Sequence, residues 1–212
     1  MNAPRRALVL IDVQQEYFDG PLDIQYPSRD ESLANILRAL DVAAQADMPV
    51  VAVRHEYPEG APVFAAGSAG WENHPEVERR IGSTTKRVAK NHSDIFTSTG
   101  LAEWFRENEI DTLTLVGYMT NNCVLATSVA AEPLGLTIEV LSDATGAVHL
   151  ANEAGTASAR QVHETLMALL HSNWAAVATT EAWASAATDD ARLVKSDLVT
   201  SATQGRAAWE QL

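Results

Sequence analysis

A thiol, a carboxylate and an ammonium stand at or just beyond the ends of three apolar runs in this sequence. The run Ala7-Leu-Val-Leu-Ile11 stops on Asp12, and Lys90 closes the candidate strand Arg87–Lys90. Cys123, the only cysteine, follows the run Thr112–Gly117 within six residues. If those strands lie side by side and parallel, the three groups meet at one edge of one sheet. That is the set a thiol nucleophile needs: a sulfur, a proton acceptor and a cation. The segment Gly117-Tyr-Met-Thr-Asn-Asn-Cys-Val124 reads as a turn feeding a helix, which places Cys123 near a helix N-terminus. Exposed N–H groups and the helix dipole favour a thiolate there, and a nearby ammonium lowers the thiol pKa further. A carboxylate in reach could take the proton and later deliver it. Each residue alone also has a plainer role: a buried cysteine packs as a small apolar side chain, an aspartate after a strand caps a turn, and a strand-terminal lysine is solvated. The joint placement is what points to chemistry.

The elements that must position these groups alternate in type. Apolar, β-branched runs predict strands over Ala7–Ile11, Val50–Val53, Arg87–Lys90, Thr112–Gly117, Thr137–Leu141 and Ala175–Ala178. Helix-period patterns cover Leu33–Ala46, Leu101–Glu107, Asn122–Leu134 and Ala154–Leu170; in the first, Leu33, Ile36, Leu37, Leu40 and Ala44 share a face. Nearly continuous apolar strands separated by helices indicate a mostly parallel, six-stranded sheet covered on both faces, a three-layer α/β/α sandwich with right-handed crossovers. Pro49 ends the first helix, Ser98 or Thr99 can cap the helix through Trp104, and Gly135 can end the helix after Cys123. Residues 56–86, rich in Gly and Pro, read as a long loop of the kind that forms lids and binding edges. The division expected is one domain over 1–188 and an extension over 189–212. That extension is polar and weakly patterned until Ala207–Leu212, either an arm against a neighbouring subunit or a frayed end.

Composition narrows the partners. With 212 residues and 46% hydrophobic content the chain can bury a full core. A formal net charge of −13 argues against nucleic acid and anionic membrane surfaces, which need clustered Lys and Arg. A single cysteine cannot form an intramolecular disulfide, which points to a reducing compartment. The start Met-Asn-Ala-Pro-Arg-Arg is basic, but the apolar stretch after it is cut short by Asp12, and no stretch is long enough to span a bilayer. A cytoplasmic protein with a small-molecule substrate is the expectation.

Four blocks carry a resemblance. Ala7-Leu-Val-Leu-Ile-Asp-Val-Gln14, Lys90-Asn-His-Ser-Asp-Ile-Phe96, Gly117-Tyr-Met-Thr-Asn-Asn-Cys-Val124 and Leu141-Ser-Asp-Ala-Thr145 resemble those of the isochorismatase-like cysteine hydrolases, in the expected order from about Ala7 to about Trp183. That superfamily includes nicotinamidases, N-carbamoylsarcosine amidohydrolases, ureidoacrylate hydrolases and streptothricin hydrolase. The resemblance implies a triad of Asp12, Lys90 and Cys123. It also implies a cis peptide between Tyr118 and Met119, aiming the Met119 and Cys123 N–H groups at one point as an oxyanion hole. A homodimer or larger homo-oligomer is implied as well.

The chain also departs from those relatives. Nicotinamidases carry an Asp-x-His pair after the second strand to hold a metal, whereas here the strand ends Val53-Arg54-His55-Glu56. The six histidines are scattered, His163 and His171 in or just after a long helix, and there is no Cys-x-x-Cys or His-Glu-x-x-His pattern; His55 followed by Glu56 is the one minor candidate for a metal ligand. No metal and no cofactor are expected. Candidate pocket residues are Phe18, Arg54, His55, Phe64, Trp71, Phe96, Tyr118 and Asn122, with Phe64 and Trp71 on the long loop; aromatic side chains at these positions would equally serve as core. The reading that follows is a metal-independent cysteine amidohydrolase acting on a small amide, ureido or lactam compound. The rivals are an isochorismatase-type vinyl-ether hydrolase and a catalytically idle small-molecule binding protein. Retention of Cys123 favours the first.

Overall fold

The computed structural model describes residues 3–210. The first two residues of the basic N-terminal stretch and the last two of the Ala207–Leu212 run lie outside the described residues.

Side chains on β1 (Arg6–Ile11) alternate between two layers: Leu8 and Leu10 enter one core cluster, Ala7, Val9 and Ile11 the other. A strand buried on both faces must be central, and it is. It is joined by β2 (Val50–His55), β3 (Lys86–Lys90), β4 (Thr112–Tyr118), β5 (Thr137–Gly146) and a last strand, Ala175–Ala178. The sheet order is β3-β2-β1-β4-β5 and then that last strand, with every pairing parallel. Helices α1 (Arg29–Gln45) and α2 (Pro75–Arg80) supply the first cluster through Ile36, Leu40 and Val77. Helix α3 (Leu101–Glu107) supplies the second through Leu101 and Phe105. Chain order along the sheet reverses between β1 and β4, so the crevice at their carboxyl ends is where such a sheet binds ligands.

Several elements differ from the sequence expectation, for local reasons. Residues 56–86 are not structureless: His74 caps α2, its Nδ1 accepting the Glu76 N–H at 3.2 Å, and Pro75 begins the helix. Gly100, not Ser98 or Thr99, is the capping residue of α3, although the Thr99 hydroxyl accepts the Leu101 N–H at 3.2 Å. The helix expected over Asn122–Leu134 is three pieces: a π-helical turn Thr120–Val124, then α4 (Leu125–Ala130), then a 3-10 turn Glu132–Leu134 ended by Gly135.

The helix expected from Ala154 begins at Ala159, because Ser158 and Gln161 form a reciprocal capping box. Residues before it make a hairpin of β6 (Leu150–Asn152) and β7 (Gly155–Ala157), which makes the last sheet strand β8 (Ala175–Ala178). Helix α5 (Ala159–Asn173) holds both helical histidines as structural groups: His163 Nδ1 pairs with Thr120 Oγ1 at 3.0 Å, and His171 Nδ1 accepts the Val177 N–H at 3.0 Å. Two further helices lack a strong sequence pattern: α6 (Thr180–Thr188), capped by Thr179, and α7 (Leu198–Trp209), capped by Asp197. Among the described residues no helix is long and apolar enough to cross a membrane.

Candidate active site

Asp12 leaves β1 with φ 51°, in the left-handed region, while its N–H still pairs with the Val53 carbonyl at 3.0 Å. Next to it Gly117 takes φ 103°, and a Cβ there would lie 2.1 Å from the Ile11 carbonyl oxygen. Only glycine fits that approach. It brings the end of β4 against the end of β1, so the turn carrying Cys123 starts beside Asp12. The peptide joining Tyr118 to Met119 is cis. In the π-helical turn the Met119 carbonyl accepts from the Asn122 and Val124 N–H groups at 3.1 and 3.3 Å, on either side of Cys123. Lys90, the last residue of β3, reaches across the end of β2 to the same point.

The three groups therefore converge. Lys90 Nζ lies 2.7 Å from Asp12 Oδ2 and 3.3 Å from Cys123 Sγ. It also donates to the His92 carbonyl at 3.1 Å and contacts His55 Nδ1 at 2.9 Å. The Asp12 contact is an ion pair set by distance rather than alignment, and neither Asp12 oxygen has a well-directed hydrogen-bond donor among the described residues. Asp12 is 0%, Cys123 1% and Lys90 4% exposed, so these charges face each other with little water between them.

Electrostatics sets the protonation of this group. Burial alone would lower Lys90, but Asp12 and Cys123 beside it raise it above the ordinary lysine range, so it is an ammonium. Burial pushes the Cys123 thiol up, Asp12 pushes it further, and Lys90 only partly opposes them. The expectation of a resting thiolate at a helix N-terminus is thus not met. The sulfur lies in the π-helical turn ahead of α4, and at neutral pH it is a buried thiol facing a carboxylate. Burial and Lys90 lower His55 below the usual histidine range. It is neutral, and because an ammonium can only donate, His55 Nδ1 accepts and Nε2 carries the hydrogen.

The remaining candidate pocket residues divide. His55 belongs to the centre, and Phe64 packs on it with ring centroids 5.1 Å apart. Tyr118 turns away, its hydroxyl meeting Ser32 Oγ of α1 at 2.7 Å. Phe18 stacks on His74 at 4.4 Å and Phe96 lies against Phe105 at 6.4 Å. The Arg54 guanidinium covers the Trp71 ring at 3.3 Å, and the Trp71 indole donates to Glu56 Oε2 at 3.0 Å. Asn122 is half-buried in the π-helical turn. Sequence reasoning passes over Tyr17, which is buried against Phe64 and Tyr118 and whose hydroxyl pKa is raised by burial and by the nearby Asp12 carboxylate. It also passes over Gln14, whose side chain clamps the loop by donating to the His55 and Trp71 carbonyls and accepting the His55 N–H. A polar residue inside the apolar block that begins at Ala7 was the available signal for Gln14. A cleft of about 200 Å³, lined by Glu56, Lys90, Asn91 and Ser98 among others, lies at the carboxyl end of β3, where the Lys90 side chain itself is buried.

A doubly wound parallel sheet with a buried acid, lysine and thiol at its switch point defines a class of α/β cysteine hydrolase. The family model of the isochorismatase domain matches residues 6–182, and the chain belongs to that family. A crystal structure of a candidate isochorismatase from Burkholderia xenovorans superposes with a TM-score of 0.95 at 44% identity, covering 99% of this chain and 100% of that one. A secreted isochorismatase effector from Verticillium dahliae is 35% identical over 66% of this chain and 71% of its own length. Streptothricin hydrolase from Streptomyces noursei is 31% identical over 66% of this chain and 49% of its own length.

Proposed function

We propose that this isochorismatase-family hydrolase is a metal-independent cysteine amidohydrolase that cleaves a C–N bond of a small amide, ureido or lactam compound through a thioester. The observation that carries the reading is the Lys90 ammonium held between Asp12 at 2.7 Å and Cys123 at 3.3 Å. The likeness to streptothricin hydrolase supports it. A thiol pushed up by burial needs a base at the moment of attack, and Asp12 is the only carboxylate in contact with this group among the described residues.

When a substrate carbonyl enters, Asp12 takes the Cys123 proton and the sulfur attacks carbon. The oxyanion that forms is held by the Met119 and Cys123 N–H groups, each such donor being worth about 3 kcal/mol. Asp12 gives its proton to the leaving amine as the C–N bond breaks. A water then loses a proton to the same carboxylate and adds to the thioester, releasing the acid and restoring the thiol. Lys90 pairs with Asp12 at 2.7 Å and neutralises the charge that passes between it and the sulfur. The alternative, vinyl-ether cleavage, has no need of a nucleophilic sulfur. A screen of small amides, ureas and lactams for ammonia or amine release, beside isochorismate for pyruvate release, separates the two. C–N cleavage is expected, and Cys123→Ala is expected to keep the fold while losing at least about a thousandfold in turnover. Near-normal hydrolysis by that variant would remove the mechanism.

A further inference from the structure

The ammonium of Lys90 is enclosed by electron-pair donors in a way that covalent hydrolysis does not require. Around Nζ stand Asp12 Oδ2 at 2.7 Å, His55 Nδ1 at 2.9 Å, the His92 carbonyl oxygen at 3.1 Å and Cys123 Sγ at 3.3 Å. Three of these are the side-chain atoms that bind zinc: a carboxylate oxygen, an imidazole nitrogen and a sulfur. They lie within 4.8 Å of one another, with Asp12 Oδ2 and His55 Nδ1 3.9 Å apart. In a tetrahedral zinc site, bonds of about 2.0–2.3 Å put neighbouring ligand atoms roughly 3.3–3.7 Å apart. The observed triangle is therefore an expanded version of such a site, with edges of up to 4.8 Å. The His55 lone pair already points at its centre, because Nδ1 accepts from Nζ. All three residues are more than nine-tenths buried.

We propose that Asp12, His55 and Cys123 form a zinc-type site whose metal position is filled by the Lys90 ammonium, so that the protein carries its own cation there and keeps its thiol free of metal. The ammonium matches the position but not the charge or the bond lengths of zinc. It stands 2.7–3.3 Å from atoms that a metal would draw in closer. For zinc to enter, Nζ must leave the shell and Cys123 must release its proton to solvent, giving a zinc–thiolate bond and one free proton. The buried Asp12–Lys90 pair opposes the first of these. This inference rests on the geometry around Nζ and not on the amidohydrolase reading.

The test uses the full-length chain with Lys90→Ala and, as a second variant, Lys90→Ser, titrated with Co²⁺ as a spectroscopic stand-in for zinc. One cobalt per chain is expected, with the thiolate-to-cobalt charge-transfer band and the strong visible bands of tetrahedral cobalt. Adding Cys123→Ala to either variant should erase the charge-transfer band, and adding His55→Ala should weaken binding. The wild-type protein should develop neither set of bands at neutral pH. Removing the lysine leaves Asp12 without its counter-charge, so both variants should melt lower than wild type in EDTA and gain several degrees in Zn²⁺, whereas the wild type should gain none. Cobalt spectra without sulfur character overturn the proposal. So do identical spectra in wild type and variants, or variants that remain unfolded or gain no stability in Zn²⁺. Inactivity on every amide tested would count against the proposed function and leave these readings unchanged.

Discussion

At the sulfur, the charge of Asp12 acts in two directions. It makes the resting thiol harder to ionise, yet the same carboxylate is the group in position to take the proton when a carbonyl arrives. An amide of the same shape separates these effects. Asp12→Asn removes the charge that raises the Cys123 thiol and leaves Lys90, which lowers it. The sign is downward: the variant thiol should ionise at lower pH than the wild-type thiol. Iodoacetamide is therefore expected to alkylate Asp12→Asn faster than wild type near neutral pH, while hydrolysis falls by about a hundredfold or more for want of a base. Alkylation rates followed over about pH 6–10 check this, since the free thiol reference lies near 8.5. A variant alkylated no faster than wild type would mean that Asp12 does not govern the sulfur. At this scale the reacting types were legible, because Asp12 and Lys90 stand at strand ends and Cys123 just beyond one. The ring that packs on Phe64 was not. Nothing in Gln15-Glu16-Tyr17-Phe18 says which of two buried aromatics meets Phe64, and it is Tyr17, whereas Phe18 lies on His74 and Tyr118.

Among the elements, the juncture of β1 and β4 decides whether the site exists at all. Six register pairs from Arg6–Thr112 to Ile11–Gly117 hold the strands together, and the last of them is where Asp12 departs. Gly117→Ala would place a methyl group 2.1 Å from the Ile11 carbonyl oxygen at a positive φ. Backbone cannot yield as a flexible side chain can, so a cost of about 3 kcal/mol or more is expected. In a chain of this size that corresponds to a fall in Tm of about 6–12 °C, readable by calorimetry. Activity should fall even at temperatures where the variant is folded, because β4 must shift away from Asp12. A variant with unchanged Tm and turnover would show that the approach is not needed. The inner strands β1, β2, β4 and β5 were legible because each is a run buried largely on both faces, whereas β3, at the sheet edge, exposes Arg87 and Ala89. The β6–β7 hairpin was not: its residues are almost all exposed, so no apolar pattern marks it. Helix α2 hid in a Gly- and Pro-rich stretch because its signal is one cap and one proline. Helix α7 hid because it buries no residue completely and so needs no regular apolar face.

Across the whole molecule, the sheet carries a buried ion pair at each end, and the two have different duties. At the carboxyl end Asp12 and Lys90 serve the sulfur. At the opposite end Arg6 of β1 makes a two-pronged pair with Glu139 of β5, Nε to Oε2 at 2.9 Å and Nη2 to Oε1 at 2.8 Å. Thr114 of β4 and the Trp183 indole of α6 donate to the same carboxylate at 2.9 and 3.1 Å, and Arg6 also donates to the Ala191 carbonyl ahead of α7. Three strands, a helix and the C-terminal segment thus share one knot of buried charge, in which both Glu139 oxygens accept hydrogen bonds. Such a pair adds little over a well-packed apolar contact, but removing one partner strands the other charge and costs about 3–5 kcal/mol. Arg6→Met should therefore lower Tm by about 6–20 °C. Below the transition kcat should stay within a factor of about two, because Arg6 and the sulfur lie at opposite ends of the sheet. Adding Glu139→Gln to Arg6→Met should raise Tm again, since the amide oxygen still accepts from Thr114 and Trp183 and no buried charge is left unpaired. Thermal melts of the three variants, with turnover measured well below each midpoint, check the argument. If Arg6→Met were as stable as wild type, or lost activity while folded, the two ends of the sheet would not be separable into a structural pair and a chemical one.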